Sequence, residues 1–384
     1  MATDNKNKVL NVPHLRFPEF SGEWEKYRLC DVASIVGRIG FRGYTTNDIV
    51  TKGKGAIALS PTNIENNKLT YDKDNTYISF YKYEESPEIM IKQGDVIFVK
   101  TGSTVGKVAY VDKLICKTTL NPQVVVLKDI QCDNYLLSVL MSTNKFQNAI
   151  RKIIVGGAVP TLSQAAMGDI VVTMPQATEQ EKLSKFISLL DDRIATQNKI
   201  IEKLQSLIKG LAAQLTQSGT PNVRLCDCLE CHSSTLQENC VSATGSYPVY
   251  GATGLIGYTN GYAYNGESIL IVKDGSGVGS LSYANDCYSV IGTLNYLTAK
   301  GKYSVLYLYY ALMAFNFTPY ITRMAIPHIY FKDYGKAKVF CPSIENQIRI
   351  ASLLHNIEQK LVVEQNLIIS LSAQKSYLLR MLFI

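Results

Sequence analysis

Gly102-Ser103-Thr104-Val105-Gly106-Lys107 carries the residue types of a phosphate-binding loop: glycines that let backbone amides converge and a lysine to meet an anion. A nucleotide loop of this kind needs one more residue between its glycines and a Ser or Thr after the lysine to hold magnesium. Here Val108 stands in that place. A later copy of the segment ends Gly279-Ser280, without the lysine, so a tight turn between strands is the expectation. Cys226, Cys228, Cys231, His232 and Cys240 form the one cluster of metal-ligating types. Structural zinc favours two C-x-x-C-like pairs set well apart, which this spacing does not supply, so buried thiols and no metal site are expected. The histidines His14, His232, His328 and His355 are scattered, with no serine or cysteine motif nearby. Asn121-Pro122-Gln123 lacks the second proline and the aromatic residue of an amino-methyltransferase motif. No glycine-rich cofactor fingerprint and no nuclease-like carboxylate cluster is found, so the chain is read as having no catalytic residue and no bound cofactor.

What, then, do the framework elements position? At 384 residues the chain exceeds one ordinary core, and 46% apolar with 18% charged residues suits a globular protein. No apolar run is long enough for a bilayer, and nine irregularly spaced cysteines fit a reducing compartment, so a cytoplasmic chain is expected. A net charge of +7 is compatible with a nucleic-acid partner. Internal similarity is the strongest signal. Arg28-Leu29-Cys30-Asp31 recurs as Arg224-Leu225-Cys226-Asp227, and VIFVKTGSTVGKVAY (residues 96–110) as ILIVKDGSGVGSLSY (residues 269–283). Thr119-Leu120-Asn121 matches Thr293-Leu294-Asn295, and Pro160, Gly168 and Pro175 match Pro327, Gly335 and Pro342. The offset falls from 196 to 167 residues, so the first copy is longer by 29. One scaffold with two different specificities is the implication.

Each copy ends in a helix. Leu183, Ile187, Leu190, Ile194, Gln197, Ile201, Leu204, Ile208, Leu211 and Leu215 alternate in steps of four and three, as do Ile350, Leu354, Ile357, Leu361, Glu364, Ile368, Leu371, Leu378 and Leu382, with Lys375 filling the gap. Such a series is a coiled-coil seam. Each seam is about 57 Å long at ~1.5 Å per residue. Antiparallel pairing brings the equivalent polar positions Gln197 and Glu364 face to face, where a buried polar pair can fix register. The expected fold class is α+β: two globular, mixed α/β domains related by internal duplication, with two long helices forming an antiparallel coiled coil. The expected divisions are residues 1–175, 176–216, 217–342 and 343–384.

Phosphate contacts need cations, hydroxyls and amides; base readout needs side chains that enter a groove. The candidates are Lys100, Thr101, Ser103 and Lys107 with Arg38, Arg42, Arg151 and Lys152 in the first copy. In the second they are Lys273, Asp274 and Ser276 with Tyr247, Tyr250, Tyr258 and Arg323.

The opening LRFPEFSGEWEKYRLCDVASIV (residues 15–36), GDVIFVKTGSTVGK (94–107), SYPVYGATGLIGY (246–258) and the two proline-led helices together resemble the specificity subunits of type I restriction-modification systems. The resemblance implies two target-recognition domains, each reading one half of a bipartite double-stranded DNA sequence, with the helices as a conserved spacer that sets the gap. It further implies a non-catalytic scaffold for two methyltransferase (modification) subunits and, through them, restriction subunits. S-adenosylmethionine, ATP and magnesium would belong to those partners. A ~57 Å ruler matches about 17 base pairs, room for half-sites one helical turn apart. The second copy is near neutral, so stable DNA binding is expected only in the assembled complex. The competing expectation is a two-module coiled-coil adaptor for proteins or other ligands.

Overall fold

The computed structural model describes residues 11–71, 74–322 and 325–384. The chain divides into two compact units, Met1–Ile194 with Ser370–Ile384, and Ala195–Ile369.

Unit 1 runs through β1 (Glu25–Arg28), α1 (Leu29–Val32), β2 (Ser34–Gly37), β3 (Ile49–Val50), β4 (Gly55–Leu59), β5 (Ile64–Glu65), β6 (Asn67–Leu69) and β7 (Thr76–Ser79). It continues with α2 (Phe80–Glu84), β8 (Val96–Val99), β9 (Val108–Tyr110), β10 (Thr118–Leu120), β11 (Val124–Lys128), α3 (Asn134–Ser142), α4 (Asn144–Ile153), α5 (Gln164–Gly168) and β12 (Val171–Met174). The helix α6 (Ala177–Thr216) starts in unit 1 and ends in unit 2. Unit 2 then has β13 (Val223–Arg224), α7 (Leu225–Cys228), β14 (Leu229–Ser233), β15 (Tyr247–Gly251), β16 (Gly254–Thr259), β17 (Tyr264–Asn265), β18 (Ser268–Val272) and β19 (Leu281–Ala284). β20 (Cys287–Val290), β21 (Leu294–Ala299), α8 (Val305–Met313), α9 (Phe331–Tyr334), β22 (Lys338–Val339) and α10 (Ile344–Leu382) complete the chain.

The sheets show the duplication. Unit 1 has the order β2-β11-β8-β9-β6-β5, and unit 2 has β14-β21-β18-β19. The central strands β8 (VIFV) and β18 (SILIV) are buried at every position, as a strand covered on both faces must be. In a second sheet, β10-β4-β7-β3 in unit 1 and β17-β20-β15-β16 in unit 2, the strands β10, β4 and β7 correspond to β20, β15 and β16, with the unusual parallel pairings β10·β4 and β20·β15 in common. Each unit therefore has two cores: one between its sheets, one between the first sheet and its helices. From Arg28 to Lys100 is 72 residues, but from Arg224 to Lys273 only 49. Most of the extra length of unit 1 therefore lies there, and part of it forms the hairpin β5–β6 added beside β9.

One sequence match is corrected by the strand pairings. Thr119 and Leu120 lie in β10, whereas Leu294 and Asn295 lie in β21. The backbone equivalences are Asn121 N–H to the Leu59 carbonyl (2.8 Å) with Ile291 N–H to Tyr250 (3.1 Å), and Lys100 N–H to Gln123 (2.9 Å) with Lys273 N–H to Thr293 (3.0 Å). Gln123 thus corresponds to Thr293, and the Thr-Leu-Asn identity is a four-residue slip. With it removed, the offset between copies falls steadily along the chain.

The framework motifs find their physical reasons here. Leu29 and Leu225 are fully buried, and each donates its N–H across the sheet pairs β1·β12 and β13·β22, to Ile170 and to Ala337 (both 2.9 Å). A Cβ on Gly168 would sit 3.1 Å from that of Cys30, and one on Gly335 would sit 3.5 Å from that of Cys226 and 2.4 Å from the Phe331 carbonyl. The amide-rich helix starts are equally specific. Gln180 donates to the Pro175 carbonyl (2.8 Å) and accepts from Asp133 N–H (2.9 Å); Gln347 donates to Pro342 (2.8 Å) and accepts from Ser304 N–H (3.1 Å). Asp133 and Ser304 are the N-caps of α3 and α8, so one glutamine in each unit ties the long helix to the first turn of another.

In unit 1, Leu183 and Ile187 share a core with Leu378, Leu379, Leu382 and Phe383. The seam's last polar break, Lys375, is paired with Asp191, which also accepts from Tyr135 Oη (2.7 Å). In unit 2, Ile208 and Ala212 pack with Leu354 and Ala351, and Gln197 donates to Glu364, to its carboxylate and to its carbonyl (3.2 Å). Positions 197 and 212 thus face 364 and 351, and the helices run antiparallel. Every expected seam position is buried or half-buried.

Candidate nucleic-acid interface

The glycine loop that follows β8, and its counterpart after β18, are each clasped to a proline-containing loop by the same backbone bonds. In unit 1, Gly102 N–H donates to the Pro160 carbonyl (2.9 Å) and Leu162 N–H to Lys100 (2.8 Å). In unit 2, Gly275 N–H donates to Pro327 (3.0 Å) and Ile329 N–H to Lys273 (3.0 Å). Gly102 has φ +104° and Gly275 φ +96°, a turn that a side chain would strain. Inside the glycine loops, Val105 and Gly106 N–H bond Gly102 and Val99, as Val278 and Gly279 bond Gly275 and Val272. The backbone is common while the side chains change: Thr101 faces Thr161 in one unit, and Asp274 faces His328 in the other.

That last exchange is compensatory. Asp274 Oδ1 lies 2.6 Å from His328 Nδ1, and the imidazole stacks on Tyr330 with centroids 6.3 Å apart. His328 was not among the expected contacts. Its signal was the paired change of two bridged threonines to an acid and a base, legible only once the loops are known to touch.

Several expected contacts lie together on this clasp. Ser103 and Lys107 are exposed in unit 1, and Lys100 and Thr101 are half-buried beside them; Lys273, Asp274 and the exposed Ser276 take the same places in unit 2. Lys107 Nζ reaches the Ile64 carbonyl (3.4 Å), and with Ser103 and Thr104 it borders an open groove of about 530 Å³ beside the Asn66–Asn67 turn. Gln147 props the loop from behind by donating to Gly106 (2.8 Å) and Met141 (2.7 Å). Arg151 and Lys152 are exposed in the last turn of α4, which leads into the proline loop. Val155 and Val159 on that loop are 67% and 58% exposed, and Ile326 of unit 2 is 58% exposed.

Other expectations are corrected. Arg38 is buried, and its guanidinium is used up in donating to the Leu120 carbonyl (2.8 Å), Thr119 (3.1 Å) and the Arg42 carbonyl (3.2 Å), so it is a structural crosslink and not a free cation. Burial holds it below the usual arginine pKa, opposed by Tyr44 and nearby carboxylates. Arg42 lies 3.5 Å from Glu88. Tyr250 packs on Tyr288 in the core between the sheets of unit 2, which explains it without a ligand. Tyr247 is half-buried in an edge contact with the half-exposed Tyr262, and Tyr258 is half-buried on β16, its backbone paired with Ser242. Arg323 lies outside the described residues. His232 is accounted for by a Thr298 hydrogen bond (2.9 Å) and stacking on Tyr296, and no group of three or more metal-ligating side chains converges among the described residues. Nor is any helix among them long and apolar enough to cross a membrane.

The duplicated architecture has counterparts in known proteins. The family model described as the type I restriction modification DNA specificity domain matches residues 21–206 and again 222–373. The chain belongs to this family. It is 27% identical over 112 residues to the type I restriction enzyme EcoprrI specificity subunit of Escherichia coli, covering 29% of this chain and 28% of that protein. It is 25% identical over 209 residues to the MjaVIII specificity subunit of Methanocaldococcus jannaschii, covering 53% and 44%. The matched segments thus span less than half the length of these relatives. The fold is similar to the crystal structure of the type I restriction-modification S subunit from M. genitalium, with TM-score 0.66, 16% identity and 97% and 99% of the two chains covered. A chain from a structure of type I R-M complex assembly aligns with TM-score 0.51, 17% identity and 94% and 97% coverage.

Proposed function

We propose that this specificity-family chain is the non-catalytic DNA-reading subunit of a type I restriction-modification complex. Each unit reads one half of a bipartite double-stranded target, and the paired helices set the gap between halves. The observation that carries this reading is the repeated clasp: one backbone frame in both units, with different side chains at Thr101/Asp274, Thr161/His328 and Lys107/Ser280. A shared frame suits contacts to the sequence-independent phosphodiester chain; exchanged side chains suit two different half-sites. α6 has 40 residues, about 60 Å at ~1.5 Å rise, a length suited to a spacer. Two methyltransferase subunits, and restriction subunits recruited through them, supply the chemistry. S-adenosylmethionine and ATP with magnesium are bound by those partners.

The test is nuclease protection of genomic fragments by the chain assembled with its methyltransferase subunit. Two short protected segments separated by an unread gap of constant length are expected. One continuous protected segment, or no protection by the assembled complex, refutes the reading.

A further inference from the structure

We infer that the glycine loop of unit 1 holds a DNA phosphate through the backbone N–H groups of Ser103 and Thr104, and that unit 2 repeats the contact more weakly through Ser276 and Gly277. This rests on the DNA-reading function proposed above.

In unit 1 the N–H groups of Gly102, Val105, Gly106 and Lys107 bond the carbonyls of Pro160, Gly102, Val99 and Thr104, at 2.9 to 3.2 Å. Those of Ser103 and Thr104 bond no protein acceptor among the described residues, and Ser103 is exposed. Unit 2 has the same arrangement: Gly275, Val278, Gly279 and Ser280 N–H are bonded to Pro327, Gly275, Val272 and Gly277, while those of Ser276 and Gly277 bond no acceptor among the described residues. Two consecutive free amides on a turn form a concavity suited to an anionic oxygen. The pair recurs although Thr104 becomes Gly277 and Lys107 becomes Ser280, so the backbone and not the side chains is what the two loops share. A ligand common to two different half-sites is the phosphodiester. The clasps to Pro160 and Pro327 hold both loops in place before any DNA arrives.

The surroundings differ in sign. In unit 1 the exposed Lys107 borders the same groove, with Glu65 the one carboxylate lining it among the described residues. In unit 2 that lysine is absent, and the Asp274 carboxylate stands at the loop, met by His328. The grip is therefore stronger in unit 1.

Ser103 is the second residue of the turn closed by Val105 N–H on the Gly102 carbonyl, a position proline favours. S103P therefore removes one free amide together with the hydroxyl, and S103A removes the hydroxyl alone. Both are measured as the assembled complex with methyltransferase subunits on its duplex target. S103P is expected to weaken binding about tenfold while leaving the slope of log K against log salt nearly unchanged, because a neutral amide displaces no counterion, and S103A stays within about twofold. S276P is expected to weaken binding less than S103P. A second readout needs no variant: deuterium uptake of the wild-type complex over residues 101–105 should fall on adding the duplex. S103P binding that equals S103A, or uptake there that DNA does not alter, overturns the inference. A wild-type complex that binds no DNA overturns the proposed function instead.

Discussion

The Gln197–Glu364 contact yields the sharpest energetic prediction. Gln197 is 6% exposed and donates both to the Glu364 carboxylate and to the Glu364 carbonyl. Q197L removes the donor and leaves a half-buried carboxylate without it. The charge-assisted bond is worth about 1.5–3 kcal/mol, and leucine regains part of that by packing in the seam, so a net loss of about 1.5 kcal/mol is expected. E364L costs less, about 0.5 kcal/mol, because the residue 364 carbonyl still accepts from the amide and the seam gains apolar surface. The double variant should be close to wild type, giving a coupling of about 2 kcal/mol. Urea unfolding followed by ellipticity at 222 nm measures all four proteins. Coupling below about 0.3 kcal/mol, or E364L costing more than Q197L, would refute the pairing and its proposed hold on register.

Two further outcomes follow from the cores. Q347A leaves the Ser304 N–H and the Pro342 carbonyl without partners beneath a side chain that is 2% exposed, which should cost about 2–4 kcal/mol. Its hydrogen exchange should rise first at the start of α8, and Q180A should do the same at α3. Cysteine alkylation at pH 8 gives an independent map. Burial, reinforced by Asp133, pushes the Cys132 thiol up to about 12, and burial pushes Cys231 up to about 11. Their thiolate fractions at that pH are hundreds to thousands of times smaller than for an ordinary thiol, roughly in proportion to the shift, while Cys30, Cys116 and Cys240 are exposed. Mass spectrometry should find these three labelled first; equal rates at Cys132 would contradict its burial.

The helices were legible because a 4-3 apolar period depends only on neighbours along the chain. Gln197 and Glu364 could even be placed opposite one another from that period. Within the sheets the reading was poorer, because strand pairing is long-range. Thr119-Leu120-Asn121 looked like Thr293-Leu294-Asn295, yet one lies at β10 and the other at β21. Arg38 looked like a free cation beside a glycine turn, since nothing in its local sequence shows that the Leu120 carbonyl and the Thr119 hydroxyl, more than eighty residues on, satisfy its guanidinium. Tyr250 was indistinguishable from an exposed ring until its β15 neighbours placed it against Tyr288. The glycine and proline loops were each recognised, but the clasp between them is made of backbone bonds, and backbone bonds leave little trace in residue type.

Methylome sequencing of a host with and without this chain, its partner genes present throughout, tests the central claim most directly. The account predicts methylated sites that depend on the chain and form a bipartite motif, two different half-sites around an unspecified gap of constant length. A continuous short palindrome, or methylation unchanged by removing the chain, would contradict it.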